Sequence, residues 1–352
     1  MLHGYPIAAA QENWLHETLS DKVRTVLTEL NNGLSITPWK SGLPATLNRK
    51  RAIKSRFDNF VSIAKALNQQ QRLELLRFMD EQNSIPVLFS NLSNCEPLSE
   101  ERLPPGVYNA IKDLFESAFG LLTSLGIRDR QYAQIYEALP LKVCPFCGAE
   151  PVDAPGLVRE DLDHYLSIAR YPFVGANLLN LTPMGGKCNS GYKHEKDILH
   201  NQAGIRRRCF NPYGAQALEV SLLESRPFEG TAKNNMKFPS WDIRFNGYDE
   251  EVATWDDVFS IRERYEKSVL DAYFREWLED FARWCRKERL NVANSEELVQ
   301  AIDCYIERFL TQRAILFFLR KAVFQMLRHR CQVGHSSARL VHWLQALVAN
   351  VT

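Results

Sequence analysis

Apolar positions recur at helical spacing along the first 140 or so residues of the chain. Trp14, Leu15, Leu19, Val23, Val26, Leu27 and Leu30 form one stripe, and Asn31-Asn32-Gly33 supplies its stop signal. The same period predicts helices over 47–67, 70–79, 108–125 and 130–139, the last closed by Pro140, with a loop over 91–105 rich in Asn, Ser, Glu and Pro. From Val143 the pattern changes to turn residues and short apolar runs. Residues 178–182 read as a strand and 189–201 as a helix. Strands are expected over 218–223 and 241–245, separated by a polar loop at 229–237. After Trp255 the period is helical again. Tyr265, Val269, Tyr273, Phe274, Trp277, Leu278, Phe281 and Trp284 make a broad stripe whose plain reading is core, and helices are expected over 296–327 and 340–348. The expected fold is α+β and mainly helical: a helical region 1–140, a central module 141–215, a short β-rich segment 216–254 and a helical region 255–352.

Composition narrows the class without choosing a function. Of the 352 residues, 45% are hydrophobic and 24% charged, ordinary globular values that argue against disorder. The formal net charge is +1, so any surface that meets a polyanion must be local. The run Arg49, Lys50, Arg51, Lys54, Arg56 is such a surface in principle, although a solvated helix face is the commoner meaning of a basic run. The N-terminal MLHGYPIAAAQENW lacks a basic leader followed by a long apolar core, and the apolar stretch 314–326 is interrupted by Arg320 and Lys321. A soluble, cytoplasmic protein is expected. The eight cysteines do not form a disulfide-scaffold pattern and suit a reducing compartment. No phosphate-binding GxxxxGK[ST] or GxGxxG loop occurs.

The chemistry concentrates between Cys144 and Asp197. A Cys144-x-x-Cys147 knuckle is followed by Asp161-Leu-Asp163-His164, then Asn180-Leu-Thr-Pro183, then Cys188-Asn189 opening a basic segment. Cleaving a phosphodiester requires a cation to offset developing charge, a base to activate water and groups that hold both. Asp163 offers a hard oxygen suited to Mg²⁺ or Mn²⁺. His164 titrates near neutrality and can take a proton from water. Its neighbour position puts it on the opposite strand face from Asp163, but at a strand end both can border one cleft. Asn180 could fix the imidazole through its side-chain oxygen, and Asn189 could complete the metal site. Asp161 is a further possible ligand.

The order Asp-His, Asn-Leu-x-Pro, Cys-Asn resembles the HNH (ββα-metal) nuclease family, over roughly residues 141–200. The resemblance implies Asp163 and Asn189 as ligands of one catalytic divalent ion, His164 as general base and Asn180 as its orienting residue. Lys193, Arg206, Arg207 and Arg208, with His194, become candidates for holding substrate phosphate. It implies DNA as substrate and 5′-phosphate with 3′-hydroxyl ends. Members often carry two Cys-x-x-Cys pairs around a structural zinc. Here Cys144, Cys147 and Cys188 are present, but Gly185 stands where the fourth cysteine is expected, leaving Cys209 or His194 as the remaining candidates. The layout also resembles HNH effectors of bacterial anti-phage modules, which work beside a separate ATPase subunit.

Two alternatives stay open from sequence. One is a non-enzymatic scaffold built on the zinc knuckle, for which the intact set Asp163, His164, Asn180 and Asn189 has no use. The other is a stand-alone restriction-type nuclease that reads its own site. His329, Cys331 and His335 near the C-terminus are more simply read as unrelated helix-end residues than as a second metal site.

Overall fold

A computed structural model describes residues 2–90, 93–157, 162–214, 218–230, 232–233, 236–309, 315–334 and 336–351. The protein is mainly helical, 58% helix and 5% strand, with three small two-stranded sheets among the described residues, as expected of a mainly helical α+β chain. It divides into two compact units. One comprises residues 3–146 and 150–216; the other comprises 217–352 with Leu2 and 147–149.

In the first unit the predicted helices appear with small shifts. Trp14–Asn31 buries Leu15, Leu19, Val23, Val26 and Leu27, one stripe of a 3.6-residue period. The single helix expected over 47–67 is a short turn, Ala45–Asn48, followed by Arg51–Ala66. Gln69–Asn83 starts one residue before the predicted 70–79, where Asn68 and Gln71 form a reciprocal capping box with both bonds 2.9 Å, and runs four residues further at its end. Val107–Ser124 packs along Arg51–Ala66, and Ile127–Ala138 follows it. Arg49, Arg51 and Arg56 are exposed while Lys54 pairs with Asp58, so this run is a solvated helix face.

These helices carry a small antiparallel hairpin. Strand β1, Leu162–His164, pairs with β2, Leu181–Pro183, in the register Leu162↔Pro183, Asp163↔Thr182, His164↔Leu181. β2 is shorter than the strand expected over 178–182, since residues 178–180 form a helical turn instead. The helix expected over 189–201 is a seven-residue π-helix, Lys187–Lys193, ending at His194 in a positive-φ conformation (φ 41°). Gly185, Gly186 and Gly191 in and before this turn weaken ordinary α-helical preference. Widened turns of this kind recur at functional sites.

Polar side chains buried under the hairpin hold its backbone. Gln131 Nε2 donates to the carbonyls of Leu178 (3.1 Å) and Leu181 (3.4 Å), and the Tyr213 hydroxyl donates to Leu181 O (2.6 Å). The Tyr5 hydroxyl donates to Pro183 O. Asn13 Oδ1 accepts from Leu178 N–H (2.9 Å), and Gln82 Oε1 accepts from Phe173 N–H (3.0 Å). A strand of three residues cannot satisfy its own backbone; Gln131, Tyr213 and Tyr5 bond the carbonyls of β2 itself, while Asn13 and Gln82 hold the turns that lead into it.

In the second unit Val220–Ser221 pairs with Arg244–Phe245, inside the two predicted strands. The polar loop expected at 229–237 contains a further strand pair, Ala232–Lys233 with Met236–Lys237. Asp271–Lys287 buries Phe274, Trp277, Leu278, Phe281, Ala282 and Cys285, so most of the aromatic stripe is core, while Tyr273 is exposed and Trp284 half-buried. The helix expected over 296–327 is interrupted: Ser295–Phe309 and Phe317–Gln332 are separate, and Leu316 adopts a left-handed conformation (φ 63°). Ser337–Asn350 is the last helix. No helix among the described residues is long and apolar enough to cross a membrane.

Candidate functional site

His164 stands at the end of β1, where the alternation of the strand turns its ring to the opposite face from Asp163. The imidazole packs on Phe119 of Val107–Ser124, ring centroids 4.4 Å apart, and its Nε2 lies 2.7 Å from the Gly175 carbonyl oxygen. A carbonyl only accepts, so Nε2 carries the proton and Nδ1 is the bare, basic nitrogen. Burial pushes the His164 pKa below its ordinary 6.5. The bond to Gly175 and the Asp163 charge pull it back up, and Lys193 adds to the lowering. The ring is therefore neutral at pH 7.

Asp163 faces the π-helix. Lys193 Nζ lies 2.7 Å from Asp163 Oδ2, with only 3% of the lysine side chain and 16% of the aspartate side chain exposed. The approach is close but off the angle of a hydrogen bond, so Oδ2 has an ion-pair partner and no hydrogen-bond donor. This corrects the expectation for Lys193: its ammonium is turned inward on a carboxylate rather than outward to substrate phosphate. Asn189, half-buried, lies four residues earlier on the same helix, a spacing that puts the two side chains on one side.

Asn180 is fully buried and makes three bonds to backbone. Its Oδ1 accepts from Leu166 N–H (2.7 Å), and its Nδ2 donates to Leu166 O (3.0 Å) and Val174 O (3.3 Å). The expected contact with the imidazole is replaced by an indirect one. Asn180 pins the chain leaving His164 against the segment that presents the Gly175 carbonyl.

The Arg206 to Arg208 run is also reassigned in part. Arg206 donates to the carbonyls of Ser93 (3.3 Å), Leu199 (3.4 Å), Leu88 (2.6 Å) and Arg207. Arg207 donates to Ile198 O (3.2 Å) and Asp197 O. These guanidinium groups bracket loop backbone and are not free to meet a phosphate; Arg208 is half-buried beside them. The loop they hold includes a buried polar group that the sequence did not single out. The Tyr171 hydroxyl donates to Asp197 Oδ2 (2.8 Å), and His200 Nδ1 lies 3.0 Å from the same hydroxyl. Burial opposes ionisation of Asp197, but His200, the Leu199 N–H and Tyr171 together outweigh it and hold the carboxyl below its ordinary range.

The thiols of Cys144, Cys147 and Cys188 lie within 4.8 Å of one another, all buried, and form the one such cluster of metal-ligating groups among the described residues. Sulfurs around a tetrahedral zinc are about 3.8 Å apart, from Zn–S bonds of about 2.3 Å, so the cluster fits a metal with little adjustment. Neither proposed fourth ligand joins it. Cys209 lies against the Tyr165 hydroxyl, and His194 is exposed. Asp161 and His335 lie outside the described residues. Comparison with protein-family models, with curated proteins and with solved structures finds no match to this chain.

Proposed function

We propose that this chain is a metal-dependent endonuclease of the HNH type that hydrolyses phosphodiester bonds of DNA. The observation that carries the reading is the state of His164. Its Nε2–H is committed to Gly175 O, which leaves Nδ1 as acceptor, and burial keeps the ring uncharged next to a carboxylate. A neutral imidazole with a fixed tautomer on the rim of a hairpin is suited to take a proton from an attacking water. The water oxygen bonds to phosphorus, its proton passes to His164 Nδ1, and the bond to the 3′-oxygen breaks; that oxygen takes up a proton from solvent, giving a 5′-phosphate and a 3′-hydroxyl.

The Asp163 carboxylate fits a divalent ion because Oδ2 is a buried hard oxygen without a hydrogen-bond donor. Held by Asp163 and Asn189, Mg²⁺ or Mn²⁺ would offset the charge that builds on the phosphate and the leaving oxygen. Lys193 already brings one positive charge to that carboxylate. Phe119 and Asn180 act through position: one walls the imidazole, the other fixes the backbone around it. Work beside a separate ATPase in phage defence rests on the resemblance of layout alone.

Plasmid and linear DNA incubated with the purified chain, with and without Mg²⁺ or Mn²⁺, test the reading. Metal-dependent cleavage abolished by EDTA supports it. Absence of cleavage with either metal, also after addition of a co-purifying partner and nucleotide, would favour the non-enzymatic scaffold.

A further inference from the structure

The geometry points to Glu150 as the fourth ligand of a zinc site completed by Cys144, Cys147 and Cys188. The inference is independent of catalysis and stands or falls whether or not the chain cuts DNA.

The local pairing of the knuckle sets Glu150 on the same face as Cys144. Val143 and Pro151 form an antiparallel bridge, Cys144 N–H donates to Glu150 O (2.7 Å) and Val152 N–H donates to Lys142 O (3.1 Å). Cys144 and Glu150 are thus directly opposite, and opposite residues of an antiparallel pair project to the same face. The thiol and the carboxylate start from one side of the same short hairpin.

The carboxylate then occupies the place of the absent cysteine. A Cβ built on Gly185 would fall on the Glu150 carboxyl group, so a side chain at 185 and the present side chain at 150 compete for one volume. Gly185 has no left-handed backbone, and its lack of a side chain is used for this close approach. Three residues on, Cys188 supplies its thiol.

The two carboxylate oxygens differ. Oε1 accepts from Lys187 N–H (3.1 Å), which fixes the group. Oε2 is buried and has no hydrogen-bond partner among the described residues. A buried, unpartnered carboxylate oxygen is costly unless a cation or donor meets it, and three thiols beside it are one short of a tetrahedral set. Carboxylate oxygen is an ordinary zinc ligand. The cluster of mutual 4.8 Å contacts holds the sulfurs alone, so coordination draws the carboxylate inward.

The test uses the full-length chain with Zn²⁺ and Co²⁺. One zinc per chain is expected by elemental analysis, and the Co²⁺ form is expected to show tetrahedral ligand-field bands with charge-transfer intensity for three thiolates. Loss of even an outer-shell partner typically weakens metal sites about 10–100-fold, so removing a direct ligand in Glu150→Ala is expected to release zinc to a competing chelator at least about tenfold more readily. Glu150→Ala combined with Gly185→Cys is expected to regain retention and show a fourth thiolate. Overturning results are a four-thiolate Co²⁺ spectrum in the unmodified chain, which would assign Cys209, zinc retention unchanged in Glu150→Ala, zinc lost through His194→Ala instead, or no metal uptake. If Glu150→Ala does not fold, Glu150→Gln in the same competition and the Co²⁺ spectrum of the unmodified chain decide between the same outcomes.

Discussion

Lys193 and Asp163 form a buried ion pair, Nζ to Oδ2 2.7 Å, that ties the last residue of the π-helix to the middle of β1. Removing one member of such a pair leaves the other charge buried and uncompensated, which typically costs about 3–5 kcal/mol. Asp163 keeps some solvent contact, so Lys193→Met is expected to lower unfolding free energy by roughly 2–3 kcal/mol. The double variant Lys193→Met with Asp163→Asn should recover most of the loss. Urea titration checks this. A single-variant effect within about 0.5 kcal/mol, the usual range for a surface lysine, would mean the ammonium faces solvent.

Asn180→Ala removes three hydrogen bonds at a fully buried position and strands the Leu166 N–H and two carbonyls. Each stranded buried group costs on the order of 1–3 kcal/mol, so a loss of several kcal/mol is expected, with cleavage falling in parallel. Asn180→Asp keeps the acceptor for Leu166 N–H but sets a second acceptor, charged unless protonated, against the Leu166 and Val174 carbonyls, so it should lose at least as much. Thermal unfolding followed by circular dichroism separates these variants, and an unaltered melting temperature in Asn180→Ala would remove the backbone-pinning role.

How much of this was legible in the sequence differs by residue. The helical stripes were, because burial repeats every three to four residues: Leu15 through Leu27 and Phe274 through Phe281 are core as their spacing required. Asp163 and His164 were found from residue chemistry; of the hairpin beneath them only a second strand was read from the pattern, and its first residues form a helical turn. The tasks of Lys193, Arg206 and Arg207 were not. A basic side chain looks the same in sequence whether it faces a phosphate, a carboxylate or a carbonyl, and only the fold brings Leu88, Ser93 and Asp163 to them. Glu150 was invisible for a similar reason, since its meaning depends on Gly185, thirty-five positions away. The 189–201 helix failed because local apolar spacing does not report a widened turn that ends at His194.

His16 gives a pH dependence with a definite sign. It is buried, its Nε2 lies 2.7 Å from Asn83 Oδ1, its Nδ1 has no partner, and burial lowers its pKa from 6.5 to about 4. Between those values the unfolded chain binds the proton and the folded chain does not, so stability falls as pH drops from 6.5 toward 4. At about 1.4 kcal/mol per unit the full effect is about 3 kcal/mol. Urea midpoints compared at neutral and acid pH should show a steeper loss in the unmodified chain than in His16→Gln. Equal slopes would refute the assignment.

The most direct measurement is the pH dependence of kcat/KM for metal-supported DNA cleavage, beside His164→Ala. The His164 pKa lies below 6.5, so activity should be at its plateau near neutrality and fall on an acidic limb centred below 6.5 as the imidazole takes up a proton. His164→Ala should cut the rate about a hundredfold or more and abolish that limb. Cleavage that keeps its rate and its acidic limb in His164→Ala would contradict the assignment of His164 as the base.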